Sequence, residues 1–225
     1  MNVVVIAPHP DDEAIGCGGS ICLQAERDNR VTVVFLTSGE LGLKKLSREE
    51  VWKIREQEAE RAAEVLGVAD LSFLRRPDWY VGHAVEEAAA ALRPVLEREA
   101  PRLIYLPHTQ EWHPDHRACL PVVRRALESS DLPIPTLLTY EVWTPLAQHD
   151  DGEDITSVMR RKLKAIRCYR SQLDQLRYDR AVRGLNQYRG ALAWKCRYAE
   201  VFEHAFMTSA QPPARPNESG KRREP

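Results

Sequence analysis

Short apolar runs alternate with amphipathic helical patterns from residue 2 to residue 143. The apolar runs are NVVVIA, VTVVFL, LSFL, RLIYLP and TLLTYEVW, and the helical patterns between them span about residues 18–28, 48–66, 84–99 and 115–129. Runs that are apolar at successive positions are typical of strands buried on both faces, and helices between such strands favour parallel pairing. The pattern therefore predicts an α/β fold, with a Rossmann-like, mostly parallel sheet flanked by helices.

The alternation ends after Trp143. The loop DDGED leads to two further helical patterns at about residues 155–169 and 190–204, and we interpret the loop as a solvated turn with Asp154 near a helix N-cap. From Thr208 onward, TSAQPPARPNESGKRREP is rich in proline and charge without apolar periodicity, which predicts a disordered tail. Length and hydrophobic content predict one domain over residues 1–207, followed by that tail at 208–225.

The charge balance excludes two classes of partner. Lysine and arginine number 32 and aspartate and glutamate 33, so no net field attracts nucleic acid or an acidic membrane surface. A small, roughly neutral molecule is the expected partner, and a homo-oligomer is left open. The chain begins MNVVVIAPHP, without a basic leader or a sufficiently long apolar run for a signal peptide, which predicts a cytoplasmic protein. Five scattered cysteines without a CxxC pair fit reduced thiols there.

A histidine and three acids crowd together directly after the first predicted strand. In the stretch APHPDDEAIGCGG these are His9, Asp11, Asp12 and Glu13. Adjacent carboxylates repel and raise one another's pKa, so the cluster is costly unless a cation neutralises it. Glycines follow, but the acids would repel the pyrophosphate of a dinucleotide, which excludes that alternative. Ligands of parallel α/β sheets bind beyond the carboxyl ends of the strands, so the placement indicates a functional site.

A second cluster follows the strand RLIYLP, where HTQEW leads into HPDH at residues 113–116. Two histidines three residues apart at a helix start can face one point. With His9 and Asp12, the two histidines of HPDH supply the nitrogen and oxygen ligands that zinc accepts. Two such clusters at the ends of two strands predict one shared metal site.

Together the two clusters resemble the signature of the PIG-L or LmbE-like family of zinc-dependent N-deacetylases, (A/P)HPDDE with paired glycines and a later HPDH. The segments TSGELG, REQEAERAAEVLGV and KAIRCYRSQ fall in the family's order, and the resemblance extends to about His204. Near the C-terminus, YRG and YAEVF resemble the branch that deacetylates N-acetylglucosaminyl malate in bacillithiol synthesis. The resemblance implies an LmbE-like fold and a zinc-dependent deacetylase that removes the N-acetyl group from an N-acetylglucosamine-type sugar or glycoconjugate.

The resemblance further implies a role for each motif residue. His9, Asp12 and His116 would bind one zinc ion per chain, which leaves the open position that a catalytic zinc keeps for water. Asp11, beside a ligand but itself uncoordinated, would be the general base, and His113 would stabilise the oxyanion. Whether Asp11 or His113 protonates the leaving amine is left open.

Residues outside the two signatures are predicted to contact substrate or support the site. The resemblance implies that Arg55 binds sugar hydroxyls, and Asp78, in RRPDWY, is a second candidate substrate-binding residue. Trp79 either stacks on a sugar face or packs internally. Glu13 is predicted to hold the loop, by hydrogen bonds to backbone N–H groups or to a metal-binding residue, rather than to bind zinc itself. The dipeptide EW before HPDH stands where some relatives carry a tyrosine or an arginine that shapes the pocket.

Two other functions fit the same residues. One is an amidase that cleaves a larger acyl group or a thiol-conjugate amide, as relatives of this family do. The other, of a different class, is a metal-stabilised sugar-binding protein without turnover. The presence of both Asp11 and His113 argues against the binding protein, which needs neither a base nor an oxyanion donor.

Overall fold

The computed structural model describes residues 1–207, so the predicted disordered tail at 208–225 lies outside the described residues. The strands are β1 (Asn2–Ala7), β2 (Arg30–Phe35), β3 (Asp70–Phe73), β4 (Leu103–Pro107), β5 (Thr136–Tyr140), β6 (Asp151–Asp154) and β7 (Ala199–Ala205). The helices are α1 (Asp12–Glu26), α2 (Arg48–Leu66), α3 (Val85–Glu99), α4 (Pro114–Glu128), α5 (Met159–Ile166), α6 (Arg170–Leu173) and α7 (Tyr178–Arg189). Within residues 1–207, no helix combines the length and apolar character needed to cross a membrane.

The seven strands form one sheet in the order β3-β2-β1-β4-β5-β7-β6. The first five pair in parallel, and β7 and β6 extend the sheet by antiparallel pairing. This arrangement confirms the predicted α/β fold with a mostly parallel sheet. The strand order reverses between β1 and β4, and in open α/β sheets such a reversal opens a crevice beyond the carboxyl ends of the strands.

Helices cover both faces of the sheet. Successive side chains of a strand point to opposite faces, so a strand buried on both sides needs an unbroken apolar run. Along β1, Val3 and Val5 pack among residues of α1, α2 and α5, whereas Val4 and Ile6 pack among residues of α3 and α4. The two cores fix β1, and therefore the loop that follows it, at the centre of the molecule.

Helix α1 begins earlier than predicted, at Asp12 rather than at about Gly18. Position 16 of the helix requires glycine because Tyr140, at the end of β5, packs closely against it. A Cβ on Gly16 would meet the Tyr140 ring at 2.1 Å. The helix dipole favours acids in a first turn, and Asp12 and Glu13 occupy that turn. The early start places Asp12 on a helix instead of in a loop.

The C-terminal part corrects several predictions. The predicted helix at 190–204 is wrong: a π-helical turn at Gly190–Trp194 is followed by β7. Alanine and glutamate in AEVFEHA favour a helix in isolation, but pairing with β5 on one side and β6 on the other stabilises the strand. Strand β6 lies where the sequence predicts a solvated turn, α5 is shorter than the predicted helix at 155–169, and α7 lies where no element is predicted.

A buried ion pair joins β7 to α5 and α1. The Glu200 carboxylate accepts hydrogen bonds from Lys162 Nζ at 2.6 Å and from the backbone N–H groups of Gly19 and Ser20 at 2.8 and 2.7 Å. The Ser20 hydroxyl donates a further bond at 2.7 Å. Both charged groups are buried, and removing one partner of such a pair leaves an uncompensated charge. The pair therefore fastens the C-terminal strand to the helix that carries the acidic motif.

Candidate active site

The two sequence motifs meet at the crevice between β1 and β4. The candidate residues are His9 and Asp11 in the β1–α1 loop, Asp12 on α1, His113 at the N-cap of α4 and His116 on α4. Local sequence explains the start of α4: Pro114 occupies the first turn, where its missing N–H costs nothing, and His113 Nδ1 accepts the Asp115 N–H at 3.3 Å. The prediction that both motifs contribute to one site agrees with this placement.

Asp12 lies between two imidazole rings. Its Oδ2 is 3.1 Å from Nδ1 of His9 and 3.2 Å from Nε2 of His116. Burial acts to raise the pKa of Asp12, but the adjacent His116 and His9 hold the pKa well below its ordinary value. Within residues 1–207, Asp12 Oδ1 and His116 Nδ1 are buried without a hydrogen-bond partner, and His116 Nε2 has only the contact of 3.2 Å with Asp12 Oδ2. Because buried polar atoms are almost always paired, these atoms are suited to a group that the protein does not itself supply.

The donor set fits a zinc ion. Zinc binds imidazole nitrogen and carboxylate oxygen at about 2.0–2.2 Å, so neighbouring ligands of a tetrahedral site lie roughly 3.4 Å apart. The distances of 3.1 and 3.2 Å from Asp12 to the two rings are close to that spacing. The second nitrogen of His9, Nε2, lies 3.0 Å from Asp78 Oδ1, which is the kind of carboxylate contact that orients a metal-binding histidine.

Among residues 1–207, two groupings have possible ligand atoms that all lie within 4.8 Å of one another, and neither includes Asp12: His9 with His113 and His116, and His9 with Asp78 and Asp115. Asp115 is already engaged, because its carboxylate accepts the backbone N–H groups of Trp79 at 2.7 Å and Val81 at 3.1 Å. His113 has Nδ1 on the Asp115 N–H, which leaves Nε2 available. The set that includes Asp12 supplies a negative charge to a cation and is therefore the better candidate.

Asp11 lies beside this cluster in a strained backbone conformation, with φ 130°. The Glu13 carboxylate accepts the Asp11 N–H at 3.1 Å, and the Tyr178 hydroxyl donates to Asp11 Oδ2 at 3.1 Å. Arg55 Nη2 lies 3.4 Å from Oδ1. Burial raises the pKa of Asp11 to about 7, although Arg55 acts to lower it. The carboxyl group is thus held in place from two sides and titrates in a range suited to proton transfer.

His113 lies next to the cluster, with its ring centroid 4.7 Å from that of His9. Burial and the neighbouring His9 and His116 lower the pKa of His113 to about 4. Because Nδ1 accepts a backbone hydrogen bond, the neutral ring carries its proton on Nε2. In this form the side chain can donate a hydrogen bond to a developing oxyanion.

Arg55 and Asp78, predicted to bind substrate, both line the cleft, and each also contacts a motif residue. Arg55 is 3% exposed, and besides Asp11 it contacts the Pro10 carbonyl. Asp78 contacts His9 through Oδ1, and its Oδ2 accepts the Leu41 N–H at 3.1 Å. Substrate binding by these two residues stays a prediction, and the contacts add a positioning role for each.

Two tyrosines from the C-terminal part complete the site, and sequence reasoning missed both. Tyr178, at the start of α7, holds Asp11, and Tyr169 donates its hydroxyl to Glu13 Oε1 at 2.5 Å. The hydrogen bond from Tyr169 and the one from the Asp11 N–H together confirm that Glu13 holds the β1–α1 loop. Burial raises the pKa of Glu13 to about 8. Tyr178 lies outside every segment that carries the family resemblance, and Tyr169 lies within KAIRCYRSQ, but the resemblance assigned it no role.

Glu111, in the dipeptide before HPDH, anchors a second wall of the site. Its Oε1 accepts the backbone N–H groups of Val142 at 2.8 Å, Trp143 at 3.0 Å and Thr144 at 3.3 Å. This buried carboxylate therefore fixes the loop that carries Trp143, a residue of the cleft wall. The sequence shows the dipeptide EW before HPDH, but it does not show the structural role of the glutamate.

The cleft above these groups has a volume of about 220 Å³ and is bordered by Trp79, Trp112 and Trp143. Trp143 also borders a second cavity of about 380 Å³, which is lined mainly by apolar residues. Tyr178 stands between the two, with its ring centroid 5.9 Å from that of Trp143 and its hydroxyl on Asp11. The titratable groups described above thus converge on the smaller of the two spaces.

Comparison with known proteins places this geometry in a family. The family model described as PIG-L, GlcNAc-PI de-N-acetylase, matches residues 4–127. A Bacillus cereus protein named probable N-acetyl-alpha-D-glucosaminyl L-malate deacetylase 2 is 29% identical over 205 residues, covering 86% of this chain and 93% of the relative. The Bacillus subtilis protein of the same name is 33% identical over 187 residues, covering 77% and 84%.

A solved structure extends the comparison to the fold. The N,N'-diacetylchitobiose deacetylase from Pyrococcus horikoshii superposes with a TM-score of 0.80 at 27% identity, over 91% of this chain and 83% of that one. The sequence match includes both signature motifs, since residues 9–12 and 113–116 lie inside the matched range. The chain therefore belongs to the PIG-L family.

Proposed function

We propose that the protein is a zinc-dependent N-deacetylase that hydrolyses the acetamide of an N-acetylglucosamine-type sugar or its conjugate. One observation carries the proposal: Asp11 is held off the ligand cluster, yet directly beside it, by Tyr178 and Arg55. A site that only stored a metal would have no use for a carboxyl group anchored in this way. The deacetylase names of the relatives support the same reaction class.

His9, Asp12 and His116 would hold the zinc ion, with Asp78 orienting His9. Bound zinc supplies a Lewis acid that lowers the pKa of water and polarises an amide carbonyl. Asp11 accepts a proton from the attacking water at its carboxylate. The Nε2–H of His113 donates a hydrogen bond to the oxyanion that forms when water adds to the carbonyl carbon. The carbon–nitrogen bond then breaks as the amine takes up the proton that Asp11 accepted from the water.

The proposed partner is a small amino-sugar conjugate, and the proposed location is the cytoplasm. The cleft volume of about 220 Å³ suits a sugar-sized group. All five cysteines are free thiols, which supports a reducing compartment. Residues 1–207 are proposed as a single deacetylase domain, because both cores pack on one continuous sheet.

A second candidate function, an amidase for a larger acyl group, is favoured by the apolar cavity on the other side of Trp143. A series of glucosamine amides with acyl chains of increasing length separates the two. Turnover that is greatest for acetyl supports the deacetylase. Turnover confined to the longer acyl groups supports the amidase.

The first test is acetate release from a panel of N-acetylglucosamine conjugates by metal-stripped protein reconstituted with zinc. The panel contains N-acetylglucosamine, its malate conjugate and N,N'-diacetylchitobiose, and Asp11→Ala is the control. Zinc-dependent release that the variant lacks would support the proposal. A protein that bound zinc and the sugars but released no acetate would instead be a metal-stabilised sugar-binding protein.

A further inference from the structure

A surface pocket in the C-terminal part of the fold is lined by four arginines and by no acidic residue. It has a volume of about 340 Å³, lies where α5, α7 and the segment before β7 meet, and shares no lining residue with the cleft. The arginines are Arg160, Arg167, Arg183 and Arg197. Basic and acidic residues nearly balance over the whole chain, so this concentration of positive charge is local. A concave surface lined by charges of one sign concentrates the field and attracts the counter-ion, here an anion.

Most of these arginines have no acidic partner in the protein. Within residues 1–207, three of the four form no ion pair with a carboxylate. The exception is Arg167, which shares the buried Asp179 with Arg177. Asp154, close to the pocket in the chain, accepts the Thr156 N–H at 2.9 Å and does not line the pocket. The guanidinium groups therefore keep most of their N–H donors for a ligand.

Tyr198 holds two of the arginines in place. The residue is 6% exposed, and its hydroxyl accepts the Nε–H of Arg183 at 3.3 Å. Arg197 Cζ lies 5.5 Å from the centroid of the Tyr198 ring, within the range of a cation–π contact. The hydrogen bond from Arg183 and the charges of Arg183 and Arg197 lower the pKa of Tyr198. Because Tyr198 restricts both guanidinium groups before a ligand arrives, less conformational entropy is lost on binding.

Helix α5 contributes the other two arginines together with apolar side chains. Arg160, Leu163 and Arg167 follow one another at intervals of three and four residues along α5 and its C-cap, so they lie on one face. Met159, which is 4% exposed, and Leu163 both line the pocket. Guanidinium groups bind phosphate oxygens two at a time, and the apolar side chains can cover an organic group attached to the phosphate.

We propose that this pocket binds a small anion that carries a phosphate group, and that Arg160, Arg183 and Arg197 hold the phosphate. A volume of about 340 Å³ lies in the range of small-molecule sites. Nucleic acid would instead require a basic stripe or face that extends beyond one pocket. The site is separate from the cleft, so it would bind its ligand whether or not the protein is a deacetylase.

Isothermal titration calorimetry on the zinc-loaded full chain compares three probes: adenosine diphosphate, inorganic phosphate and succinate. We expect both phosphate compounds to bind at least about tenfold more tightly than succinate, because the guanidinium groups match phosphate geometry. Tighter binding of the diphosphate than of inorganic phosphate would identify the ligand as an organic phosphate, and equal binding would identify free phosphate. Absence of phosphate binding overturns the proposal, as does succinate that binds equally well.

Variants assign the binding to the pocket. The double variant Arg160→Ala, Arg197→Ala should lower the affinity for adenosine diphosphate by at least about tenfold, since two charge-assisted contacts are lost. Lysine at both positions should restore only part of the loss, because lysine lacks the planar fork. The single variant Arg160→Ala, at an exposed position, should lower the affinity by about threefold or more and gives a second measurement if the double variant fails to fold. Unchanged affinity in folded variants overturns the proposal.

Two controls exclude other binding sites. Arg180 is exposed on α7 and does not line the pocket, so Arg180→Ala removes the same charge and should change the affinity by less than about twofold. An equal loss in Arg180→Ala and the double variant would mean attraction by net charge alone and overturns the proposal. Asp12→Ala, which should lack zinc, reports any binding of the anion to the metal. Affinity retained in Asp12→Ala supports the arginine pocket, and affinity lost there assigns the anion to the cleft and overturns the proposal.

Discussion

The cleft and the apolar cavity share one wall and differ in nearly every other property. The cleft, of about 220 Å³, is lined by carboxylates and histidines of both motifs, namely His9, Asp11, Asp12 and His113. The cavity, of about 380 Å³, is lined by side chains such as Ile15, Val142 and Val182. Size and apolar character would select the cavity as the ligand site. The unpaired buried atoms of Asp12 and His116 favour the cleft instead, because a bound cation would pair with them.

The largest expected effect lies in the cleft. Asp11→Asn keeps the size of the side chain but removes the base, so kcat should fall by about 10²–10⁴. Zinc content, measured by plasma mass spectrometry, should be unchanged because Asp11 is outside the proposed ligand set. Full activity in this variant would show that another group moves the proton.

Asp12 and His113 distinguish the alternative ligand sets. We expect Asp12→Ala to lose zinc, whereas His113→Ala should retain zinc and lose about 10²–10³ in kcat through the missing oxyanion donor. Zinc content and kcat are measured on the same preparations. The reverse pattern, with zinc lost from His113→Ala, would assign the metal to the three-histidine grouping.

Tyr178 belongs to both regions, so Tyr178→Phe separates them. The phenyl ring keeps the wall of the cavity, but Asp11 loses the hydrogen bond of 3.1 Å to its Oδ2. We expect kcat to fall by about tenfold at nearly constant KM, since one bond that orients the base is lost. A change in KM alone would instead make Tyr178 a substrate contact.

The charge density of the cleft also predicts how stability depends on pH. Burial raises the pKa of Asp11 from 3.8 to about 7 and that of Glu13 from 4.5 to about 8. A carboxyl group whose pKa is raised by folding stabilises the folded state below its unfolded pKa, and this contribution is lost as the pH rises to the folded value. The lowered pKa of His113, about 4 instead of 6.5, adds stability as the pH rises between these two values, but two raised carboxyl groups outweigh it. Metal-free protein should therefore become less stable between about pH 4 and about pH 8, most steeply above about pH 6.5.

Zinc should oppose that loss, since a cation favours the ionised carboxylates. Thermal unfolding followed by circular dichroism, with zinc or with a chelator, should show a larger rise in Tm on adding zinc at about pH 8 than at about pH 5. An equal rise at both values would mean that the metal does not contact this cluster. Asp11→Asn should reduce the pH dependence of the metal-free protein.

The smallest effect is expected in the cavity. Ala181 is exposed and lines the cavity, so Ala181→Trp can occupy that space without entering the core. Acetate release should change by less than about twofold, the range of an ordinary surface substitution. A loss comparable to that of the cleft variants would show that the cavity takes part in acetamide hydrolysis. Loss confined to longer acyl amides would favour the amidase.

The N-terminal part of the fold followed from the sequence because local and tertiary preferences agree there. β1, β2 and β4 are apolar on both faces, and α2 spans the residues that periodicity predicts, with a Ser47–Glu50 capping box at its start. Strand β7 did not follow, since AEVFEHA acquires its conformation from two antiparallel neighbours. Pairing partners distant in the chain leave no local pattern.

The site divides in the same way. The carboxyl ends of the adjacent parallel strands β1 and β4 meet at one edge of the sheet, which brings together His9, Asp12 and His116. This placement can be predicted from the sequence, because the strands and the motifs that follow them are both visible there. Tyr178 and Glu111 instead form hydrogen bonds with residues far away in the chain: Tyr178 with Asp11, and Glu111 with the backbone at Val142. A single tyrosine or glutamate in a polar segment forms no motif of characteristic residue spacing, so its role cannot be predicted from the sequence.

The ion pair between Lys162 and Glu200 bears on how such a protein can evolve. The family model ends at residue 127, yet Glu200 fastens α1, and Tyr178 holds Asp11, from beyond that boundary. A shortened gene that kept both signature motifs would encode all three proposed ligands but would leave α1, which carries Asp12, without this ion pair. Recombination within this gene therefore yields a working protein only when the N-terminal and C-terminal halves are inherited together.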